Sequence, residues 1–292
     1  MFRGMQRQRR SRPPNFRFVA RGLIAALAVI IVVLVGLSFL PRQILAPLAY
    51  YWEINQPAPL APPVPTLAIP RGALPSGPVG LVEQAQYAGE PLRSVGSGFL
   101  LQLEGGPVIG VTTAHSLGPL GGPPNRLQRV AFSVASQPDS VMSFDRLYGP
   151  PGVPLHDENL AADYVLLKLP NSTPAFDARL VLTPDSRGAP QPGERVVLFS
   201  GLGDGQGNAR PLLGTVWSVN ALAFWVVMDG AFDAAGMSGS PLISEHTGRV
   251  VGMAMAVRYR RGHTLVGFHP IGSLVQQAQA AAAFPLIAEF VR

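Results

Sequence analysis

The chain has 292 residues, 30 Pro, 32 Gly and no Cys, which excludes disulfides, thiolate zinc sites and a cysteine nucleophile. Its net charge of +6 is a local feature: residues 1–22 carry seven Arg and no acid, and the remaining 16 basic residues face 17 acids. A basic surplus confined to a tail before an apolar run reads as topogenic, so the charge gives no case for a nucleic-acid partner.

In chain order, the basic tail is followed by Leu23 to Leu40, 18 residues without a charge or a proline. At about 1.5 Å per residue this nearly spans a hydrocarbon core of roughly 30 Å. Seven Arg precede it and only Arg42 follows closely, so the N-terminus is expected to stay cytoplasmic and the rest to be exported. The competing reading is a cleaved signal peptide, against which stand the length of the run and the lack of a clean small-x-small site. Residues 41–78 form the expected linker. Nine prolines between 47 and 78 predict an extended, semi-rigid spacer holding a domain off the bilayer. Tyr50, Tyr51 and Trp52 read equally as an interfacial aromatic belt or as a chance cluster.

From Val79 the pattern is β. Val95–Leu103 and Val108–Thr113 are apolar runs joined by Glu104-Gly105-Gly106-Pro107, a hairpin signal that puts His115 just past a strand end. Further short runs follow at 129–134, 142–147, 164–169, 195–200, 213–219, 223–228, 241–244, 249–257 and 263–269, with turn residues between them. This spacing predicts an all-β sandwich or barrel. Thr183–Pro192 breaks the pattern and reads as the connection between two β units, 79–184 and 185–272. The Ala- and Gln-rich end is a helix candidate over 273–292, which Pro285 should stop or kink.

Four short motifs carry chemistry: Gly96-Ser97-Gly98-Phe99, Thr113-Ala114-His115, Asp163-Tyr164-Val165-Leu166-Leu167 and Gly236-Met237-Ser238-Gly239-Ser240-Pro241. A serine hydroxyl is a poor nucleophile until a base takes its proton. A neutral histidine can do that near neutral pH, and a carboxylate on its far nitrogen fixes the tautomer. Glycines beside the serine allow close approach of backbone to substrate. Ser240 is the rival serine; Asp139, Asp145, Asp157 and Glu158 are rival acids. The remaining histidines (156, 246, 263, 269) lack metal-ligand spacing, so neither a metal nor a cofactor is expected. Gly201-x-Gly203-x-Gly205-x-Gly207 follows no βα pattern and reads as a loop. An α/β-hydrolase would need Gly-x-Ser-x-Gly and the order Ser, Asp, His.

Together, in the order His, Asp, Ser, these motifs resemble the chymotrypsin-fold (trypsin-like) serine proteases. Among them they look closest to the disulfide-free bacterial branches, the glutamyl endopeptidases and the Deg-type stress proteases. The resemblance covers roughly residues 90–275. It implies two six-stranded antiparallel β-barrels with the active site in the crevice between them. It further implies Ser238 as nucleophile, His115 as base, Asp163 as orienting acid, and the N–H groups of Gly236 and Ser238 as oxyanion hole. By family position Phe232 lies at the floor of the specificity pocket, and Met255-Ala256-Val257 pairs with substrate backbone. Where the glutamyl endopeptidases bind Glu through a histidine, this chain has Ala254, with His269 near enough to substitute. The expected preference is a small or aliphatic residue before the scissile bond.

One departure stands out. The zymogen-activated members carry an Asp before the nucleophile that pairs with a newly cut N-terminal ammonium; here that residue is Met237, and no such activation is expected. The expected protein is a membrane-anchored endopeptidase with its catalytic domain in the periplasm or outside the cell. The alternative is a catalytically weak relative that binds peptides at a sheet edge.

Overall fold

The computed structural model describes residues 24, 26–27, 29–31, 50–118, 126–154, 160–170, 177–203 and 211–289. The basic tail and most of the apolar run 23–40 lie outside these residues, although Ile24, Ala26, Leu27, Val29, Ile30 and Ile31 are helical. Among the described residues no helix is long and apolar enough to cross a membrane. The chain divides into a unit of residues 1–53 and a compact unit of residues 54–292, which carries all the β-structure.

The first half of the compact unit is an eight-stranded sheet. Its members are β1 (Leu81–Tyr87), β2 (Arg93–Gln102), β3 (Val108–Thr112), β4 (Leu127–Val134), β5 (Gln137–Phe144), β6 (Arg146–Leu147), β7 (Val165–Lys168) and β8 (Val181–Leu182). The order is β5-β4-β1-β2-β3-β7-β6, with β8 paired to β2. β2 turns the corner: its residues up to Gly98 pair with β1, and Phe99–Gln102 pair with β3. The sheet therefore curls around its own core of Leu81, Leu100, Val130, Phe132, Phe144 and Leu167. The resemblance implied six strands here. The extra count comes from β6 and β8, two-residue pieces that patch the rim.

The second half is a closed six-stranded barrel in the order β10-β11-β14-β13-β12-β9. Its strands are β9 (Arg195–Leu198), β10 (Leu212–Val219), β11 (Phe224–Met228), β12 (Pro241–Ser244), β13 (Val250–Arg260) and β14 (His263–Pro270). Valine, leucine and phenylalanine fill it, with Phe224 stacked on Phe268 at 5.3 Å between centroids. A third apolar cluster joins the halves: Phe99, Leu101, Ile109 and Val111 from the first meet Ile243, Val250 and Met253 from the second. Burying side chains from both halves in one core fixes the groove between them.

Two segments depart from the expectation. Residues 54–78 lie along the second barrel as a strap rather than standing off as a spacer. The Arg261 N–H donates to the Gln56 carbonyl at 3.0 Å, His246 Nε2 donates to the Ile69 carbonyl at 2.8 Å, and Gly72 N–H donates to the His246 carbonyl at 2.8 Å. A proline-rich chain has many carbonyls and few N–H groups, so it settles where a neighbour supplies donors. The C-terminal helix, α2 (Ile271–Gln279), stops well before Pro285. The chain after it runs along the edge strand β6, where Leu147 N–H donates to the Pro285 carbonyl (2.8 Å) and Gly149 N–H to the Ala283 carbonyl (3.0 Å). The chain thereby covers an open sheet edge instead of continuing the helix.

Candidate active site

β3 ends at Thr112, and a single helical turn, α1 (Ala114–Leu117), carries His115 into the groove. Asp163 follows a 3-10 turn at Leu160–Ala162 and precedes β7, where it is fully buried. Its Oδ1 accepts the His115 backbone N–H at 2.9 Å, and its Oδ2 lies 2.6 Å from His115 Nδ1. One carboxylate thus grips both the backbone and the ring of the same histidine. The other ring nitrogen, Nε2, lies 2.7 Å from Ser238 Oγ, across the groove on the second barrel. With the proton on Nδ1 facing the carboxylate, Nε2 has a lone pair to accept the serine proton. Ser238 is part-exposed, so its hydroxyl is reachable from solvent.

The rival residues are elsewhere. Ser240 is fully buried and its hydroxyl has no hydrogen-bond partner among the described residues. Asp145 is exposed at the β5–β6 rim, where its carbonyl accepts the Ile287 N–H. Asp157, Glu158 and the Asp139 side chain lie outside the described residues. His269 does not border the substrate groove as expected. It is fully buried, Nε2 donates to the Ala161 carbonyl at 2.7 Å, and its ring stands edge-on to Tyr164. Burial lowers its pKa, and the ring steadies the turn that presents Asp163.

The loop around Ser238 is held by hydrogen bonds from both halves. Met237 N–H donates to the Ala234 carbonyl (3.1 Å), Ser240 N–H to the Met237 carbonyl (3.0 Å), and Gly239 N–H to the Ala254 carbonyl (2.8 Å). From the first half, Ser97 N–H donates to the Ser238 carbonyl (2.9 Å) and Ser97 Oγ to the Gly236 carbonyl (2.9 Å). Among the described residues, the N–H groups of Gly236 and Ser238 donate to nothing. Gly236 has φ +75°, and Gly239 has φ +87° with room for no Cβ, since one would sit 1.9 Å from the Ser97 carbonyl oxygen. Both positions therefore require glycine. Met237 is buried in the core of the second barrel with Leu198, Val226 and Leu242. An apolar plug fastens the loop where a carboxylate would need a cation.

The candidate substrate-contacting residues are spread along one wall. Phe232 is half-buried, with its N–H on Thr264 Oγ1 at 3.0 Å and its carbonyl accepting from that hydroxyl at 3.0 Å. Met255 is buried, so its side chain does not line the groove; Ala256 is half-buried and Val257 is 41% exposed. β12 pairs with β13 only as far as Met253, and beyond Ala254 β13 pairs with β14 alone. Among the described residues, the edge of β13 beside Ser238 therefore has no strand partner past Met253.

Glu83 was not singled out in the sequence. It lies opposite Gly96 in the β1–β2 pair, fully buried, with neither carboxyl oxygen hydrogen-bonded among the described residues. The nearby Thr112 and Ser116 hydroxyls donate instead to the carbonyls of Ser97 and Thr113, each at 2.9 Å. Burial pushes its pKa up to about 8, helped by the charge of Asp163 and opposed by the two hydroxyls. Nothing in an apolar or alternating strand pattern marks such a residue. Among the described residues no cluster of three or more His, Asp or Glu could hold a metal ion.

No family model matches the chain, and no curated protein does. Among solved structures, the chain is similar to kallikrein-related peptidase 10 (19% identity, TM-score 0.47, covering 70% of this chain and 95% of that one). It is also similar to neuropsin, a serine protease expressed in the limbic system of mouse brain (14%, TM-score 0.48, 72% and 96%). A third is an inactivated protease paralogue of the scabies mite (18%, TM-score 0.49, 69% and 93%). At these values the likeness is one of outline, and the two-barrel architecture rests on the strand pairing itself.

Proposed function

We propose that this protein is a serine endopeptidase. The observation that carries the reading is the continuous chain from Ser238 Oγ to His115 Nε2 (2.7 Å) and from His115 Nδ1 to Asp163 Oδ2 (2.6 Å). His115 takes the Ser238 proton as Oγ bonds to the scissile carbonyl carbon. The carbonyl oxygen becomes an oxyanion facing the Gly236 and Ser238 N–H groups. His115 then gives the proton to the departing amine, which leaves an acyl-enzyme on Ser238. Water, deprotonated by His115, attacks the ester and frees the acid and the serine. Asp163 stays ionised and stabilises the imidazolium. The substrate is a peptide or protein strand laid along the free edge of β13, with a small or aliphatic residue before the cleaved bond. The lack of cysteine favours the disulfide-free bacterial branches.

The same proposal includes the membrane. The apolar run 23–40 behind seven arginines is read as an uncleaved single-pass anchor, N-terminus cytoplasmic, with the catalytic unit periplasmic or extracellular. Intact mass of the membrane-extracted protein should include the N-terminal 40 residues; a mature start beyond them rejects the anchor.

The activity test is turnover of an unfolded protein substrate by the full chain and by Ser238→Ala. The expected loss in kcat is roughly 10⁵-fold or more. Peptide binding without turnover in both proteins would instead favour an anchored peptide-binding module.

A further inference from the structure

We propose that Ser97 is the positioning residue of the oxyanion hole, a role that rests on Ser238 being the nucleophile. The oxyanion would be met by the N–H groups of Gly236 and Ser238. Ser97 holds the carbonyls of those same two residues, one through its hydroxyl and one through its own N–H, both at 2.9 Å. It reaches them from the other half of the molecule: Ser97 is on β2, paired to Val82 of β1, whereas the nucleophile loop belongs to the second barrel.

The surroundings make this grip firm. Ser97 is fully buried. Its own carbonyl accepts the Thr112 hydroxyl at 2.9 Å, so the residue cannot swing on the strand. Behind it, Ser200 Oγ lies 3.3 Å from Ser97 Oγ and accepts the Leu202 N–H at 3.2 Å. The Ser97 proton goes to Gly236, and the Leu202 N–H already occupies the Ser200 oxygen, so the chain runs Ser200 to Ser97 to Gly236. Aligned hydroxyls polarise one another and strengthen the last bond. The Leu202 side chain also lies against Gly236: a Cβ there would fall 2.3 Å from Leu202 Cδ1.

The Gly236 and Ser238 carbonyls belong to the peptides that follow the two hole N–H groups, so holding them restricts rotation about both residues and fixes the N–H groups indirectly. The peptide joining Gly236 to Met237 is fixed at both ends, by Ser97 and by Ala234. The Ser238 carbonyl is fixed by Ser97 as well. The Gly236 and Ser238 N–H groups have no hydrogen-bond partner among the described residues. A fixed hole stabilises charge without having to reorganise during the reaction. Without the hydroxyl, the half-buried Gly236 carbonyl would lose its serine donor, and its peptide would be released to seek water. The side chain touches no substrate atom, so its loss should leave substrate binding intact and raise the barrier.

The test uses the full chain in detergent, with Ser97→Ala compared with wild type. Removing one direct hole donor typically costs 10²–10³ in kcat, so loss of a residue behind the donors is expected to cost roughly 10-fold to 100-fold. KM should stay within about a factor of two, because ground-state binding is not touched. The specific readout is a ¹³C-labelled peptidyl trifluoromethyl ketone, which forms a hemiketal on Ser238. The pKa of its hydroxyl, read from the ¹³C shift, should rise by about one unit in the variant, equivalent to a tenfold weaker oxyanion. An unchanged hemiketal pKa and kcat overturn the proposal. A drop in kcat with an unchanged hemiketal pKa also overturns it, since that marks a purely structural role. If Ser97→Ala does not fold, Ser200→Ala must move kcat and the hemiketal pKa in the same direction by a smaller amount, and no movement there overturns it. A wild type that forms no hemiketal rejects the protease reading itself, and Ser97's role with it.

Discussion

At the scale of single residues, the site is built from groups whose neighbours decide what they can do. His115 is useful because Asp163 holds it by backbone and ring together, which leaves one nitrogen, in one orientation, toward Ser238. Glu83 is the opposite case, a carboxyl whose oxygens accept no hydrogen bond among the described residues, kept neutral chiefly by burial. Its pKa of about 8 in the folded protein lies above the ordinary 4.5, so the folded state holds a proton that the unfolded chain releases. The stabilisation from this proton is fully present below pH 4.5 and is lost as pH rises through about 8. Glu83→Gln cannot ionise. In urea unfolding from pH 5 to 8, the wild type should lose stability relative to Glu83→Gln by roughly 1.4 kcal/mol per pH unit, with no further divergence above. Parallel curves over that range would show that Glu83 is not a buried neutral acid. The strand pattern gave no sign of Glu83, because its position on β1 is ordinary and its burial is created by Gly96 and other residues packing over it from distant elements.

At the scale of elements, the strands were legible and the segments that lie on them were not. Short apolar runs punctuated by Gly, Pro and Asp translate directly into β2, β3, β9 and β12, since alternation and turn chemistry are local. The strap 54–78 and the chain after α2 are shaped by donors and edges contributed from distant sequence. Proline count alone reads the first as a spacer, and alanine content alone extends the second as helix. The connection 183–194 between the two halves behaves likewise. Its loop signal was clear, but the sequence did not show what holds it. Arg187 donates to Asp185 Oδ2 (2.7 Å) and to Glu194 Oε1 (2.9 Å), and the Thr247 hydroxyl donates to the same Asp185 oxygen (2.7 Å). Burial pushes both carboxyls up, but the hydrogen bonds from Arg187, from the Thr247 and Ser244 hydroxyls and from backbone N–H groups, together with the Arg187 charge, outweigh it and leave both pKa values lowered. Arg187→Ala would strand two buried carboxylates and is expected to cost about 3 kcal/mol in denaturant unfolding. Arg187→Lys should recover little of it, because one ammonium cannot reproduce the fork. An alanine variant as stable as wild type would mean the cluster is not what secures the connection.

At the scale of the whole molecule, the proposed reaction is divided between two halves. The first supplies His115, Asp163 and Ser97; the second supplies Ser238, the Gly236 and Ser238 N–H groups and the edge of β13 past Met253. Neither half has the site alone, and the shared core of Phe99, Ile109, Ile243 and Met253 keeps them in register. Three of the sequence motifs meet in this groove. The fourth, around Ser97, was quotable from the sequence, but its hydroxyl became interpretable only when Gly236 was seen beside it. His269 shows the converse: proximity in sequence to the substrate strand suggested a pocket residue, and the fold turned it inward to the Asp163 turn.

The central claim is that Ser238 is made nucleophilic by His115 across the groove. It is tested most directly by treating the folded full-length protein with a fluorophosphonate and mapping the adduct by mass spectrometry, in wild type and in His115→Ala. The expected result is a single adduct on Ser238 in the wild type, formed at least roughly 10³-fold more slowly without the imidazole. An adduct on another residue, no adduct at all, or equal rates in the two proteins would contradict it.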